Sequence, residues 1–337
     1  MNAVTQLAAA RRTHMRFFLM KCFETLHPNE PPLIPSWYLE AICHALEAVA
    51  VGRQKRRVIT VPPRHLKSIT TSVAFVAWLL GHSPTLKIMV ASYSEDLARL
   101  HTGQCRTIME SDWYQELFPG TRISSRALEL STTAGGVRKA VSVGGSITGF
   151  GADLIIIDDC MKADEVRSQA RRDEIKNWFE NTLLTRLNDK ETGCICSIQQ
   201  RLHEDDLPAY LLAKGYEHLN LPSIAERPER IQIGPNRWHD RMPGDILNPG
   251  RESAELLEQL RRELGPSVFS AQYQQEPVSP EGNLLRLEWF GTYDEPPLRE
   301  EFLKVIQSWD TGMTAAPTSD YSMCTTWGLT DEGAPRS

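Results

Sequence analysis

No run of the sequence is long and apolar enough to suggest a membrane span. The longest uninterrupted apolar stretch, Val73 to Leu80, falls far short of the roughly 20 residues that a spanning helix needs. A secretory leader is equally hard to find. Arg11, Arg12 and Arg16 precede an apolar cluster at Phe17 to Met20, but Lys21 interrupts it, so an amphipathic first helix is expected instead. The seven cysteines are odd in number, scattered and without metal-ligand spacing, which argues against zinc and a disulfide framework. Cys194 and Cys196 fall in an apolar stretch and are expected as buried thiols of a strand. Basic charge is also lacking: 37 Lys and Arg stand against 43 Asp and Glu, a net charge of -6. The usual electrostatic footprint of a nucleic-acid binder is thus absent. Only a local patch, Arg53 to Arg57, could serve as a phosphate contact or equally as a solvated loop before a strand.

What is present is the composition of a globular protein: 41% hydrophobic and 24% charged over 337 residues, room for between one and two domains. Short β-rich runs at Val58–Val61, Ile88–Ala91, Ala140–Val143, Leu154–Asp158, Cys194–Ile198 and His218–Leu221 alternate with helical patterns. The helices are expected at Ile69–Leu80, Glu95–Met109, Glu165–Leu187 and Asp205–Ala213. Apolar strands separated by helices predict an α/β fold with a mainly parallel sheet covered on both faces. From about Ala225 to Glu300 prolines and glycines recur around one amphipathic helix, Ser253–Leu264, as in a small lid or linker subdomain. A new strand, Phe302–Trp309, then ends in Asp310.

Two motifs carry chemistry. Val61-Pro62-Pro63-Arg64-His65-Leu66-Lys67-Ser68 lies between a strand and a helix. A phosphate-binding loop needs backbone N–H groups aimed at phosphates, a Lys for the outer phosphates and a Ser or Thr hydroxyl for Mg²⁺. Lys67 and Ser68 supply the last two. The usual glycines are missing, with Val61 and Leu66 in their places, and Pro62 and Pro63 have no N–H. The donors must therefore come from Arg64 to Ser68. The second motif is Leu154 to Asp158 followed by Asp159. An acid ending a buried strand next to a phosphate loop can hold Mg²⁺, and a second acid beside it can deprotonate an attacking water. Together the motifs predict a hydrolytic, ASCE-type P-loop NTPase that uses Mg²⁺.

Further segments resemble the large subunit of bacteriophage or prophage terminases. Ile34 to Ile42, with Trp37 and Tyr38, looks like the family's entry helix, whose aromatic and polar groups lie near the adenine. Val61 to Ser68 is similar to the family's Arg-bearing variant of the phosphate loop, and Thr148 to Asp153 fits ahead of the acidic strand. Ser197 to Leu207, including Gln200 and Arg201, resembles the coupling motif, and Phe269 to Pro277 resembles the stretch joining ATPase and nuclease.

The resemblance implies ATP contacts from Trp37, Tyr38, Arg64, His65, Leu66, Lys67 and Ser68. It implies Mg²⁺ at Ser68 and Asp158, and catalysis by Asp159 with Arg64. Arg138 and Arg201 are alternative transition-state arginines that could act across a subunit interface. The implied partners are double-stranded DNA without sequence preference, a small terminase subunit and a portal protein, with a homo-oligomeric ring in the cytoplasm of a bacterial host.

Ser308 to Gly312, followed by Ser319 to Ser322 and Thr326 to Gly328, looks like the opening of the family's RNase H-like nuclease, with Asp310 as a ligand for Mg²⁺ or Mn²⁺. Two-metal cleavage needs several carboxylates. Asp310 and Asp320 alone do not supply them, and Asp331 and Glu332 read as turn residues, so the chain is expected not to cut DNA. The expected organisation is a helical segment 1–30, an ATPase domain 31–225, a lid and linker 226–300 and an incomplete nuclease domain 301–337. A helicase-like DNA-dependent ATPase and a non-catalytic prophage remnant are the alternatives.

Overall fold

The computed structural model describes residues 3–34, 36–145, 147, 149–278, 298–310, 323–329 and 335–336. The chain forms two compact units, Met1–Ser279 and Pro280–Ser337. The larger begins with α1 (Ala3–Thr13), α2 (Met15–Leu26) and α3 (Trp37–Ala50), followed by β1 (Arg56–Thr60). A π-helical turn, Ile69–Phe75, runs into α4 (Val76–His82). Next come β2 (Lys87–Ser92), α5 (Glu95–Glu110), α6 (Asp112–Leu117), β3 (Ile123–Arg126), β4 (Glu129–Thr132), β5 (Val137–Ser142) and β6 (Leu154–Asp158). They are followed by α7 (Gln169–Trp178), β7 (Cys194–Gln199), α8 (Leu207–Ala213), β8 (Glu217–Asn220), a hairpin of β9 (Glu229–Gly234) and β10 (Arg237–Arg241), then α9 (Ala254–Leu264) and α10 (Pro266–Gln272).

The main sheet runs β3-β4-β5-β2-β6-β7-β1-β8. From β5 to β8 every pairing is parallel, whereas β3 and β4 extend one edge antiparallel. Side chains alternate across this sheet because successive strand residues point to opposite faces. Leu154 and Ile156 of β6 join a core with α2, α3, the π turn and α5, while Ile155 and Ile157 join a second core with α7 and α8. Four consecutive apolar residues are thus required, since each face of the strand is buried under helices. Met15, Phe18, Leu19 and Cys22 of α2 belong to the first of these cores. Cys194 and Cys196 are buried on β7, as expected.

Several local expectations need correction. The helix expected over Ile69–Leu80 opens in π geometry, and the one expected over Glu165–Leu187 is α-helical only for Gln169–Trp178. Ser168 delays its start: its hydroxyl accepts from the Arg171 N–H at 3.4 Å and so caps the helix there. A π turn (Phe179–Leu183) and a 3₁₀ turn (Leu184–Arg186) then carry the chain onward. The Pro- and Gly-rich region holds more regular structure than its single expected helix. The β9–β10 hairpin turns through Asn236 at φ 53°, and α10 starts on Pro266, where a missing N–H is harmless.

In the smaller unit, β11 (Lys304–Asp310) pairs antiparallel with β12 (Met323–Leu329), which pairs with β13 (Pro335–Arg336). Asp310 ends β11 opposite Met323.

Candidate nucleotide-binding site

The carboxyl ends of β1, β7 and β6 lie side by side, where parallel α/β sheets bind ligands. The chain leaves β1 through Val61, Pro62 and Pro63 and turns at Arg64 (φ 63°) and Leu66 (φ 58°), both left-handed. Non-glycine residues adopt that region at a cost and persist there when the surroundings over-determine them. Leu66 therefore takes, without glycine, a backbone shape for which glycine is the usual residue. Loops with such left-handed residues gather N–H groups into a concavity suited to anions.

The side chains that follow are already engaged with the acids. Lys67 Nζ lies 2.8 Å from Asp159 Oδ2. Ser68 Oγ donates to Asp158 Oδ1 at 3.0 Å and Ser72 Oγ donates to Asp158 Oδ2 at 2.6 Å. Asp158 is fully buried, which together with the neighbouring charge of Asp159 lifts its pKa to about 7 against the opposing hydroxyls and Lys67. His101 Nδ1 is 3.7 Å from Asp158 Oδ2, and burial, reinforced by the Arg138 cation, lowers that imidazole to about 4. It is neutral at pH 7.

Asp159 leaves the strand at φ 41°, and its Oδ1 accepts from the Gln200 N–H at 3.4 Å. Oxygen donors from Ser68 and Asp158, 3.0 Å apart, suit the hard-oxygen preference of Mg²⁺. Among the described residues no cluster of three or more His, Cys, Asp or Glu forms a separate metal site.

Lys67, Ser68 and Asp159 open onto a cavity of about 1050 Å³, with Asp158 buried behind them. Tyr38, Arg64, Leu66, Lys67, Ser68, Asp159 and Gln200 line it. Two expected nucleotide contacts are not among its walls. Trp37 stacks on His239 with ring centroids 4.3 Å apart and the Arg241 cation over its face, and His65 is buried with Nδ1 bonded to the Pro63 carbonyl at 2.9 Å. Of the coupling residues, only Gln200 reaches the cavity. Ser197 is buried within β7, where its Oγ accepts from Gln199, and Arg201 pairs with Asp206 at 3.0 Å.

Arg138 is 0% exposed, with its guanidinium on Thr102 Oγ1 at 2.6 Å and the Ser72 carbonyl at 3.3 Å. Such a side chain offers nothing to a neighbouring subunit, so its role as an inter-subunit arginine is withdrawn. Thr148, Asp320, Asp331 and Glu332 lie outside the described residues, as does the side chain of Asp310.

The sequence reading missed Ser72, His101, Asn248 and Arg251. Ser72 had a usable signal, since it follows Ser68 by one helical turn and shares its face. His101 sits on a helix whose face toward the acids no pattern announces. Asn248 and Arg251 come from a Pro- and Gly-rich stretch without periodicity.

A strand between the loop-bearing β1 and the acid-bearing β6, with Lys67 and paired acids at their ends, defines an ASCE-type P-loop NTPase fold. The particular family follows from comparison with known proteins. The family model for the terminase large subunit, T4likevirus-type, N-terminal, matches residues 58–292, and the chain belongs to that family.

Solved structures include the large terminase of bacteriophage HK97, at 15% identity and TM-score 0.49, covering 96% of this chain and 66% of that one. A point mutant of the large terminase ATPase domain of Thermus phage P74-26 matches at 16% identity and TM-score 0.48, covering 76% and 97%. A large terminase from a thermophilic bacteriophage in complex with ADP matches at 13% identity and TM-score 0.43, covering 85% and 65%. The chain thus spans about two thirds of the HK97 protein. No curated protein matches the sequence. Among the described residues no helix is long and apolar enough to cross a membrane.

Proposed function

We propose that this chain is the ATP-hydrolysing motor subunit of a phage terminase and moves double-stranded viral DNA into a procapsid. The observation that carries the reading is the convergence of Lys67, Ser68 and Asp159 on one cavity, with a 2.8 Å contact between Lys67 and Asp159 and Asp158 buried directly behind Ser68. When a triphosphate enters, Lys67 exchanges Asp159 for the outer phosphates. Asp159 is then free to take a proton from the attacking water, as general bases do. Ser68 and Asp158 would hold Mg²⁺, which when bound offsets phosphate charge. Arg64, exposed on the same loop, stands on the phosphate side as the transition-state cation. Tyr38 packs edge-on to His65, 5.4 Å between ring centroids, and so borders the loop from the entry helix.

Gln200 ties the base to the coupling segment, because its N–H donates to Asp159. The Arg201 N–H in turn donates to Gln275 Oε1 at 3.0 Å, linking that segment to the end of α10. The same reading assigns sequence-independent contacts to DNA phosphates, a small subunit and a portal as partners, a homo-oligomeric ring, and the host cytoplasm as location. Asp310, at the end of β11, holds the position that the resemblance gives to a nuclease metal ligand.

The test is ATP hydrolysis by purified protein with and without DNA, beside Lys67→Ala. Hydrolysis stimulated by DNA and abolished in the variant is expected. ATP binding without turnover would instead favour a non-catalytic remnant, and near-normal turnover in Lys67→Ala would remove the phosphate-loop assignment.

A further inference from the structure

Part of the cavity wall is built by a segment to which the sequence assigned no chemistry. Asn248, Gly250 and Arg251 line it. Of the arginines and lysines around the cavity, Lys67 is committed to Asp159. Arg251 is exposed and, among the described residues, makes no ion pair and no side-chain hydrogen bond. Its charge is felt by Tyr38 and by His65, so it sits beside the half of the loop that precedes Lys67. Glu252, the next residue, faces His65 across 3.7 Å and is buried with it, which seats this segment against the loop.

An exposed arginine held without a partner at the mouth of a phosphate site has one obvious complement. Guanidinium groups bind phosphate oxygens through short, charge-assisted and often paired hydrogen bonds. Arg64 lines the cavity from the loop and Arg251 from the segment after the hairpin, so two cations on separate segments border the same space.

The segment carrying Arg251 is also joined to the rest of the molecule in a specific way. The Leu247 N–H donates to the Ser223 carbonyl at 2.7 Å, and the Ser223 N–H donates to the Tyr273 carbonyl at 2.7 Å. Two residues beyond Tyr273, Gln275 accepts from the Arg201 N–H. Two main-chain bonds and the Gln275 side chain thus connect the Arg251 segment to the same segment that Asp159 touches through Gln200.

We infer that Arg251 is a nucleotide-contacting residue that grips the outermost phosphate of a nucleoside triphosphate from a segment separate from the phosphate loop. The inference rests on the ATPase reading of the cavity. The Arg251 side chain distinguishes triphosphate from diphosphate and passes that difference to the 223–225 and 273–275 segments.

Titration of fluorescent ATP and ADP into wild-type protein, Arg251→Ala, Arg251→Lys and Lys67→Ala, with Mg²⁺ present, tests it. Arg251→Ala should weaken ATP by about tenfold or more, the scale of a lost charge-assisted contact, and ADP by less than about threefold. Arg251→Lys should recover part of the loss, since the charge returns without the paired geometry. The melting temperature without nucleotide should be unchanged in both variants, because the side chain is exposed and unpartnered among the described residues. Equal weakening of ATP and ADP, or no weakening in Arg251→Ala while Lys67→Ala loses ATP, overturns the inference alone. ATP affinity unaltered by Lys67→Ala as well overturns the nucleotide reading of the cavity, and the inference with it.

Discussion

Asp158→Asn in the nucleotide-free protein isolates the most displaced carboxyl of the site. Burial and the charge of Asp159 hold the Asp158 pKa at about 7, whereas an aspartate in an unfolded chain titrates near 4. Between those values the folded protein keeps a proton that the unfolded chain has released. The unfolded state therefore binds fewer protons, and stability falls as pH rises through the window. One proton gives a slope of at most about 1.36 kcal/mol per pH unit. From pH 5 to pH 7 the Asp158 contribution drops by roughly 2 kcal/mol, and it levels off above about pH 8.

His101 and His218 oppose this, since burial lowers each to about 4. They are neutral in the fold and charged in an unfolded chain below about 6.5, so they make stability rise with pH over that range. The total profile mixes both signs, and the difference between wild type and Asp158→Asn separates them. Urea unfolding followed by tryptophan fluorescence, in EDTA and without nucleotide, supplies the difference at each pH. Asp158→Asn should gain on wild type by roughly 2 kcal/mol between pH 5 and pH 7. A difference that stays constant over that interval would mean that the carboxylate is already ionised at pH 5, which refutes the argument from burial.

Asp159→Asn should still bind ATP but lose hydrolysis by about 10² to 10⁴, because it removes the proton acceptor and leaves Asp158 and Ser68 in place. Binding and single-turnover assays on one preparation check both halves. Arg64→Ala should slow hydrolysis on the order of 10³-fold at saturating ATP, and a change below about tenfold would move the transition-state role to another arginine. Gly136→Ala should lower the melting temperature, with a loss of about 1–3 kcal/mol. A Cβ there would meet the Pro84 carbonyl oxygen at 2.4 Å, and backbone does not step aside as a side-chain tip does.

Much of this fold was legible because its central strands are buried on both faces, so Leu154 to Ile157 has to be uniformly apolar and announces itself. The antiparallel edge was not. β3 is exposed along most of its length, and its Ile-Ser-Ser-Arg sequence needs no buried face. The β9–β10 hairpin was hidden likewise, for β10 presents Trp238, His239 and Asp240 in a row and buries only Arg241 fully.

Within the site, the acid-ended strand and Lys67-Ser68 could be read because their chemistry is local in sequence. Trp37 and Tyr38 show the limit. Adjacent helix positions point about 100° apart, so only Tyr38 turns to the cavity while Trp37 meets the hairpin. Arg251 lies far along the chain from the phosphate loop, and nothing short of the folded backbone brings them together.

The two prolines that open the phosphate loop carry a consequence for speed. Pro62 and Pro63 fix φ, and Arg64 and Leu66 hold a left-handed shape that few side chains enter freely. A glycine-rich loop would be limp before its ligand arrived and would lose backbone freedom in every catalytic round. Here that ordering is done once, when the protein folds. Each nucleotide meets a rigid receptor, so association and release depend on what moves around it. On the proposed reading, the adjustments that follow nucleotide binding fall to the segments around the loop, Asn248 and Arg251 among them, while the loop keeps its shape.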